Sequence, residues 1–246
     1  MAEARTSAER VRAWAVIAAG GTGERAGGRA PKQFRSIGGR PVLAHTLAVF
    51  QASPRIEGVV LVVPVGSQAM ARHLVSRLGL DKVRSVVAGG ETRHASVAQG
   101  LRALPPDCRY VVIHDGVRPF LTEELIESVL EGAVKDGAAV AGLPVQETIK
   151  RANGGWIQGT VDREGLWSIQ TPQAFRLDLL RTAHERAQRE GFVGTDDAVL
   201  VERLGHPVRL VPGLPENLKL TRPADFTLGA AIHRARVRAA KVSPSG

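Results

Sequence analysis

The chain has one cysteine, Cys108, among 246 residues. No intrachain disulfide can form, and nothing in this usage points to an oxidising compartment. Aromatic residues make up only 4 % of the chain, and no stretch interleaves them with Lys or Arg as a base-stacking platform requires. That weighs against a nucleic-acid partner, although the formal net charge is +9. Four of the excess charges, Arg234, Arg236, Arg238 and Lys241, follow Asp225, where cations near a helix C-terminus are favoured by the macrodipole. The longest apolar stretch lies around Val59 to Val65, far short of the roughly 20 residues that span a bilayer. Met1 to Arg12 carries charges of both signs and no apolar centre, so it does not read as a signal peptide. The histidines are scattered without zinc-ligand spacing. The expectation is a cytoplasmic protein with neither a membrane nor a nucleic acid as partner.

Apolar content of 43 % and charged content of 23 % are ordinary for a globular protein, and no repeat or linker divides the chain. A single domain over 1–246 is expected. Short runs rich in Val and Ile at Ala13–Ala18, Gly58–Val63, Val83–Ala88, Tyr110–His114 and Ala138–Leu143 read as strands covered on both faces. Helical patterns fill the intervals at Pro41–Gln51, Ser67–Leu78 and Thr92–Leu104, and after Thr122, a natural N-cap before Glu123 and Glu124. Alternation of this kind predicts an α/β fold with a doubly wound, mostly parallel sheet of the Rossmann-like type. The pattern breaks at Val145. Two short alternating runs around Asn153-Gly154-Gly155 read as a β-hairpin, giving a protruding arm within 145–170. Such a hairpin is marginal alone, so a second subunit is expected to support it. Asp178–Gln188, Asp196–Leu204, Val208–Val211 and Pro223–Arg238 add helices and one strand to the same domain.

The segment from Trp14 to Phe34 is the most informative. A short apolar strand runs into a loop holding Gly20, Gly21, Gly23, Gly27 and Gly28, with Arg25 and Lys32 in or beside it. Glycines let the backbone approach a ligand closely, successive N–H groups can form an anion-binding concavity, and the cations neutralise what binds. The dinucleotide fingerprint fails, because Pro31 interrupts the segment and the second strand ends in Pro64 with no carboxylate. The P-loop pattern fails too, because no Gly-Lys-Ser/Thr follows the glycines. The loop therefore reads as a polyphosphate cradle of another kind. Gly89-Gly90-Glu91-Thr92-Arg93 and Asp115-Gly116-Val117-Arg118 also follow strands, and ligands of such sheets bind beyond the strands' carboxyl ends. Asp115 is placed to hold Mg²⁺, which typically takes one or two carboxylates plus substrate phosphates. The alternative is a turn cap paired with Arg118. His114 reads as structural.

These residues resemble the 2-C-methyl-D-erythritol 4-phosphate cytidylyltransferase family over about Val16 to Ile232. The markers are Ala18-Ala-Gly-Gly-Thr-Gly-Glu-Arg25, Pro31-Lys-Gln33, Gly89 to Arg93 with Ser96, His114 to Pro119, Thr148-Ile-Lys150, Val161-Asp-Arg163, Gln170-Thr-Pro-Gln173, Thr195-Asp196 and Asn217 to Pro223. The resemblance implies that CTP and the polyol phosphate are joined with loss of pyrophosphate, with Mg²⁺ on Asp115, in isoprenoid precursor synthesis. It implies that the loop from Ala18 through Ala19, Gly20, Gly21 and Gly23 to Arg25 wraps the CTP phosphates, with Arg25 and Lys32 on them. Gly90, Arg93 and Ser96 would lie near cytosine and ribose. Arg118, Thr171 and Lys219 would lie near the sugar phosphate. Thr148 and Arg163, on the arm, would reach the neighbouring subunit's site in a homodimer. Thr195 would lie near that pocket, or serve as an N-cap before Asp196. Gly116-Val117 stands where Ala-Ala is commoner, and Ala26 where a larger apolar residue is usual.

The chemistry needs no general base. A phosphate monoester has a second pKa of about 6 and is mostly a dianion at neutral pH. The obstacle is bringing it to the α-phosphorus of another anion, so positioning and opposing charge carry the catalysis, from Arg25, Lys32, Lys219 and the metal on Asp115. Three other functions compete. A ribitol 5-phosphate cytidylyltransferase would share the scaffold. A non-catalytic nucleotide-binding regulator would not need Arg25, Lys32, Asp115 and Lys219 together. A basic RNA-binding domain would show RNA affinity that falls steeply with salt.

Overall fold

The computed structural model describes residues 11–21 and 31–242. Seven strands form one sheet: β1 (Ala13–Ala18), β4 (Ile56–Val63), β5 (Val83–Ala88), β6 (Tyr110–Asp115), β7 (Ala138–Pro144), β10 (Trp167–Arg176) and β11 (Arg209–Pro212). Their spatial order is β11-β7-β10-β6-β1-β4-β5. The ladders β1–β4, β1–β6, β4–β5 and β7–β11 are parallel, and β10 runs antiparallel to both its neighbours. The expected strands are present with ends shifted by no more than two residues, and the sheet is mostly parallel as the alternation predicts.

The period-2 geometry of strands divides the core into two layers. On β1, Ala15 and Ile17 join Leu43, Leu47 and Phe50 of α1 (Val42–Ala52), Leu74 of α2 (Gln68–Arg77), and Ile126, Val129 and Leu130 of α4 (Glu123–Asp136). Val16 points the other way. It joins Val97 and Leu101 of α3 (Arg93–Arg102), Leu180 and Ala183 of α5 (Leu177–Arg189), and Leu200 and Val201 of α6 (Ala198–Glu202). Each large side chain fully buried here, such as Phe50 or Phe175, contributes about 1.5–3 kcal/mol of transfer free energy. A third cluster of Ile37, Val42, Val117, Phe120, Leu220 and Phe226 anchors the long α7 (Pro223–Val242). It also covers the two-residue strands β2 (Ser36–Ile37) and β3 (Arg40–Pro41).

Two helix starts are fixed by threonine caps. The Thr92 side chain accepts a 3.0 Å bond from the Ala95 N–H, and Thr122 a 3.3 Å bond from the Leu125 N–H, each satisfying an orphan donor of the first turn. The Thr122 cap is as expected. Asp196–Leu204 is less helical than its sequence predicts: α6 covers only Ala198–Glu202.

β10 is the element the strand pattern did not reveal. Its centre carries Gln170, Thr171, Pro172 and Gln173, and the ladder to β7 shifts register between Ile169 and Gln173, where the Thr171–Pro172 bond is cis. Proline gives no N–H to a ladder, so it sits where pairing is interrupted. The arm is the hairpin of β8 (Ile149–Asn153) and β9 (Trp156–Val161). Its Gly154 and Gly155 have φ of 56° and 84°, the positive values a two-residue type I′ turn needs. Trp156 and Ile157 are 80 % and 68 % exposed on it. Since β10 begins at Trp167, the last residues of the 145–170 segment are a strand of the main sheet. No helix among the described residues is long and apolar enough to cross a membrane.

α3 can approach the sheet because residue 100 has no side chain. A Cβ at Gly100 would lie 2.4 Å from a Val16 methyl and 3.0 Å from a Val62 methyl. Gly100→Ala gains roughly 1 kcal/mol of helix propensity, and overpacking costs about 1–3 kcal/mol. The expected outcome is net destabilisation, read as a lower urea midpoint with unchanged m-value. A midpoint equal to or above wild type would show that α3 has room to move outward.

Candidate active site

A cleft of about 580 Å³ opens beyond the carboxyl ends of β1, β5 and β6. Ala18, Ala19, Gly20 and Gly21 line it after β1, Gly89 to Arg93 with Ser96 after β5, and Asp115 and Val117 after β6; Lys32, Gln33 and Lys219 complete the wall. The described ends of the glycine loop gather on one rim with the loops after β5 and β6, as expected. Gly23 and Arg25 lie outside the described residues.

The wall is dense around Ser96. A Cβ on Gly20 or on Gly89 would stand 2.7 Å from the Ser96 Oγ, so these two backbones meet there only as glycines. The Ser96 Oγ accepts a 3.1 Å bond from the Gly90 N–H, which ties the second glycine pair to the start of α3. The Gln33 side chain does the same for the first loop. It is buried, and its Nε2 donates to the Ala19 carbonyl at 2.7 Å and to the Gly21 carbonyl at 3.3 Å. The turn of Lys32–Phe34 is thereby fastened to the glycine loop, which brings Lys32 to the cleft wall. In the sequence Gln33 shows only as part of a motif; its role depends on a loop more than ten residues away in the chain.

Asp115 sits at the bottom of the cleft, only 4 % exposed. Arg93 Nε donates to its Oδ1 at 3.0 Å, and Lys219 Nζ and Arg118 Nε approach Oδ2 at 2.9 and 3.5 Å. Burial opposes ionisation of this carboxyl, but Arg93, Lys219 and Arg118 outweigh it and hold its pKa far below the usual carboxylate range. The magnitudes agree: burying an ion costs several kcal/mol, while each opposite charge at about 3 Å returns ~5 kcal/mol at an effective dielectric of ~20. The expected turn contact to Arg118 is present, as one of three cationic contacts on Asp115.

Lys219 is delivered by the segment between β11 and α7. Leu220 N–H bonds the Val117 carbonyl at 2.9 Å. Asn217, fully buried, donates to the Thr171 carbonyl at 2.8 Å, and its own carbonyl accepts from Arg118 Nη1 at 2.8 Å. Thr171 itself does not line the cleft. Its hydroxyl accepts the Asp115 N–H at 3.0 Å and lies 3.1 Å from His114 Nδ1. His114 Nε2 is 3.1 Å from the Arg118 carbonyl, which can only accept. That nitrogen therefore carries the proton, Nδ1 accepts from the Thr171 hydroxyl, and the ring is the neutral Nε2–H tautomer. Burial pushes its pKa down to about 4, against a smaller opposing effect of the Arg118 carbonyl. His114 is structural, as expected.

The remaining expected residues lie elsewhere. Thr148 and Arg163 are exposed on the arm, with Arg163 Nη1 bonded to the Gln146 carbonyl at the arm's base. Neither lines this chain's own cleft. Thr195 is exposed and is not the cap of α6; the Asp196 carboxylate takes the Val199 N–H at 3.1 Å instead. Asp197, which no sequence pattern singles out, is buried and pairs with Arg93. A second cleft, of about 670 Å³, lies between α3 and α5 and is lined by Thr92, His94, Arg102, Arg181, His184 and Phe192 among others. It is the larger, but the convergent charges are in the first. No group of three or more His, Cys, Asp or Glu among the described residues is placed to hold a metal.

The family model for 2-C-methyl-D-erythritol 4-phosphate cytidylyltransferase matches residues 13–235. A protein of that name from Pelotomaculum thermopropionicum is 46 % identical over 224 residues, covering 90 % of this chain and 94 % of its own. Its namesake from Geobacillus kaustophilus is 43 % identical over 223 residues, covering 91 % and 97 %. Among solved structures, the Thermus thermophilus enzyme of this name superposes with a TM-score of 0.77 at 38 % identity, covering 91 % of this chain and all of its own. The 4-diphosphocytidyl-2C-methyl-D-erythritol synthase of Anaerococcus prevotii gives 0.80 at 28 % identity, covering 91 % and 96 %.

The buried His114 makes stability depend on pH in a stated direction. Its pKa is about 4 folded and 6.5 as the ordinary value, so between these the unfolded chain binds the extra proton and stability rises with pH. The contribution is complete above about pH 6.5, falls as pH drops towards 4, and amounts to about 3 kcal/mol. Melting curves of wild type and His114→Gln should converge in the acid range and separate towards neutrality. Parallel profiles between pH 4 and 7 would show that His114 does not carry this dependence.

Proposed function

The chain belongs to the 2-C-methyl-D-erythritol 4-phosphate cytidylyltransferase family, and we propose that this cleft carries out the family's reaction with the residues that line it. The reaction joins CTP to 2-C-methyl-D-erythritol 4-phosphate, giving 4-diphosphocytidyl-2-C-methyl-D-erythritol and pyrophosphate, a step of isoprenoid precursor synthesis. The observation that carries the assignment to this cleft is Asp115 ringed by Arg93, Arg118 and Lys219 beneath a wall of glycines. Three cations face two buried carboxylates, Asp115 and Asp197. The cluster keeps one net positive charge, and a site of that sign receives phosphates.

In this reading the backbone of Ala18 to Gly21 and the Lys32 ammonium take the CTP phosphates, and the resemblance assigns Arg25 to the same task. Gly90, Arg93 and Ser96 bound the nucleoside end. Lys219 and Arg118 attract the sugar phosphate, already a dianion. One of its oxygens attacks the α-phosphorus in line, a new P–O bond forms, and the bond to the β-phosphate oxygen breaks. Pyrophosphate departs with that electron pair, which the Lys32 charge stabilises. No proton has to be removed to start the step.

Mg²⁺ fits the donor set. A carboxylate presents about four lone-pair sites, and three cations use three of those on Asp115. Asp115 would hold the ion jointly with phosphate oxygens and water, the usual manner for this metal. When bound, it supplies further positive charge to the phosphates. We place the enzyme in the cytoplasm, consistent with its single cysteine, and as a homodimer through the arm. Support for the dimer is the exposure of Trp156 and Ile157 on an unsupported hairpin.

Pyrophosphate release with CTP should be seen with the methylerythritol phosphate and fall off across a panel of other polyol phosphates, ribitol 5-phosphate included. Lys32→Met should lower turnover by about 10²–10³-fold, the scale for losing a preorganised electrostatic contact, with a near-unchanged melting temperature. Asp115→Asn should also lower turnover and shift the Mg²⁺ titration to higher concentration. A loss under about fivefold for Lys32→Met, well below that scale, removes it from the reaction. Superimposable Mg²⁺ titrations remove the metal from Asp115.

The arm gives a separate outcome. If Arg163 serves the partner's site, Arg163→Met and Lys219→Ala should each be nearly inactive. Exchanged into mixed dimers, they should recover up to roughly a quarter of wild-type activity, because one site of each mixed dimer carries neither change. No recovery, with exchange confirmed by mass, sinks the shared site.

A further inference from the structure

Arg93 is gripped from two sides by carboxylates that belong to different parts of the molecule. On the cleft side its Nε donates to Asp115 at 3.0 Å. On the far side its Nη1 donates to Asp197 Oδ2 at 2.7 Å. Asp197 is 1 % exposed, lies immediately before α6, and does not line the cleft. Its other oxygen, Oδ1, faces His184 Nε2 of α5 at 3.2 Å, and His184 is itself buried. The His184 ring in turn packs against that of His94, the next residue on α3, at 4.5 Å between centroids.

A charge this deeply buried is costly unless it is paired. Capping does not explain it, because the Asp197 side chain makes no cap bond to α6 and Asp196 takes the Val199 N–H. What the carboxylate does is fix an arginine. A guanidinium is planar with its donors in set directions, so holding Nη1 fixes where Nε points. Without Asp197, the fork is free to turn and close on Asp115 with two nitrogens, the arrangement Arg and a carboxylate prefer. That would cover the lone pair the other cations leave open and withdraw Arg93 from the wall beside Ser96.

We propose that Asp197, seated by His184, is the positioning residue of the CTP pocket: it holds Arg93 single-pronged on Asp115 and so keeps the nucleotide side of the cleft open. The proposal rests on the reading that this cleft takes CTP. Asp197 touches no substrate and acts only through Arg93.

The test is a double-mutant cycle read in KM. Asp197→Asn keeps the shape and removes the charge. It should raise the KM for CTP about tenfold, the scale of a lost hydrogen bond to a charged group. The KM for the polyol phosphate should stay within about twofold, since its cations are placed by other residues. In an Arg93→Lys background the same change should move the CTP KM no further, because the group it acts through is gone. An unchanged CTP KM, equal rises for both substrates, or the same factor in the Arg93→Lys background each overturns the proposal. If Asp197→Asn does not fold, His184→Gln decides. It leaves Arg93 and Asp197 in place and loosens the seat, and should raise the CTP KM about threefold, as a weakened hydrogen bond would; no rise overturns the proposal. Wild-type protein that releases no pyrophosphate from CTP would instead defeat the functional reading, so the two failures are distinct.

Discussion

The ionised carboxylate of Asp115 is the constraint on which the rest of the site depends. It ends β6 in the middle of the sheet, where a bare charge could not remain. Arg93 from α3, Arg118 from the turn after β6, and Lys219 from the approach to α7 neutralise it. Those three come from positions 22, 3 and 104 residues away in the chain, so one buried charge draws together segments that the topology leaves separate. The same arrangement explains the second tier. Thr171 takes the Asp115 N–H, Asn217 fastens Arg118, and Asp197 fastens Arg93. These charges already have fixed partners among the described residues, and reaction of two anions gains most from charge that need not reorganise.

Much of this was legible in the sequence, and the reason is locality. The glycine loops, the Asp115 turn and the Thr122 cap each declare themselves within a few residues. At the sheet edge β5 is only partly buried, and its run is broken by Arg84 and Ser85. Strands buried on both faces show as apolar runs, as Val59 to Val63 of β4 does. β10 does not, because its Gln170, Thr171 and Gln173 are buried by making tertiary hydrogen bonds rather than by being apolar. A strand in the interior of a sheet can be polar when its side chains are the scaffold of a site, and no propensity scale registers that.

The misses within the site have the same origin. Gln33, Asn217 and Asp197 are polar residues whose partners are 12 to 104 residues distant. In the sequence, Asp197 is merely the second of two acids and reads as part of a helix start; only the fold shows that Asp196 serves the helix and Asp197 the arginine. Resemblance places Thr171 near substrate, whereas its hydroxyl lies between the Asp115 backbone and His114. Its influence on the cleft is through the strand end that carries the carboxylate.

The position of β10 also bears on how such a chain can be assembled. β10 lies between β6 and β7, yet follows both in the sequence. The edges of β6 and β7 that face each other across the place of β10 have no partner unless residues 167 to 176 lie between them. In synthesis β6, α4 and β7 all emerge before the strand that closes the sheet between them. The arm comes out immediately ahead of the closing strand. Unpaired edges are templates for wrong partners, and here they flank the very strand that carries Asp115. The step that seals the sheet against misassembly is the same step that brings Thr171 to the Asp115 backbone, so a chain that has not finished folding has no finished anion site to offer.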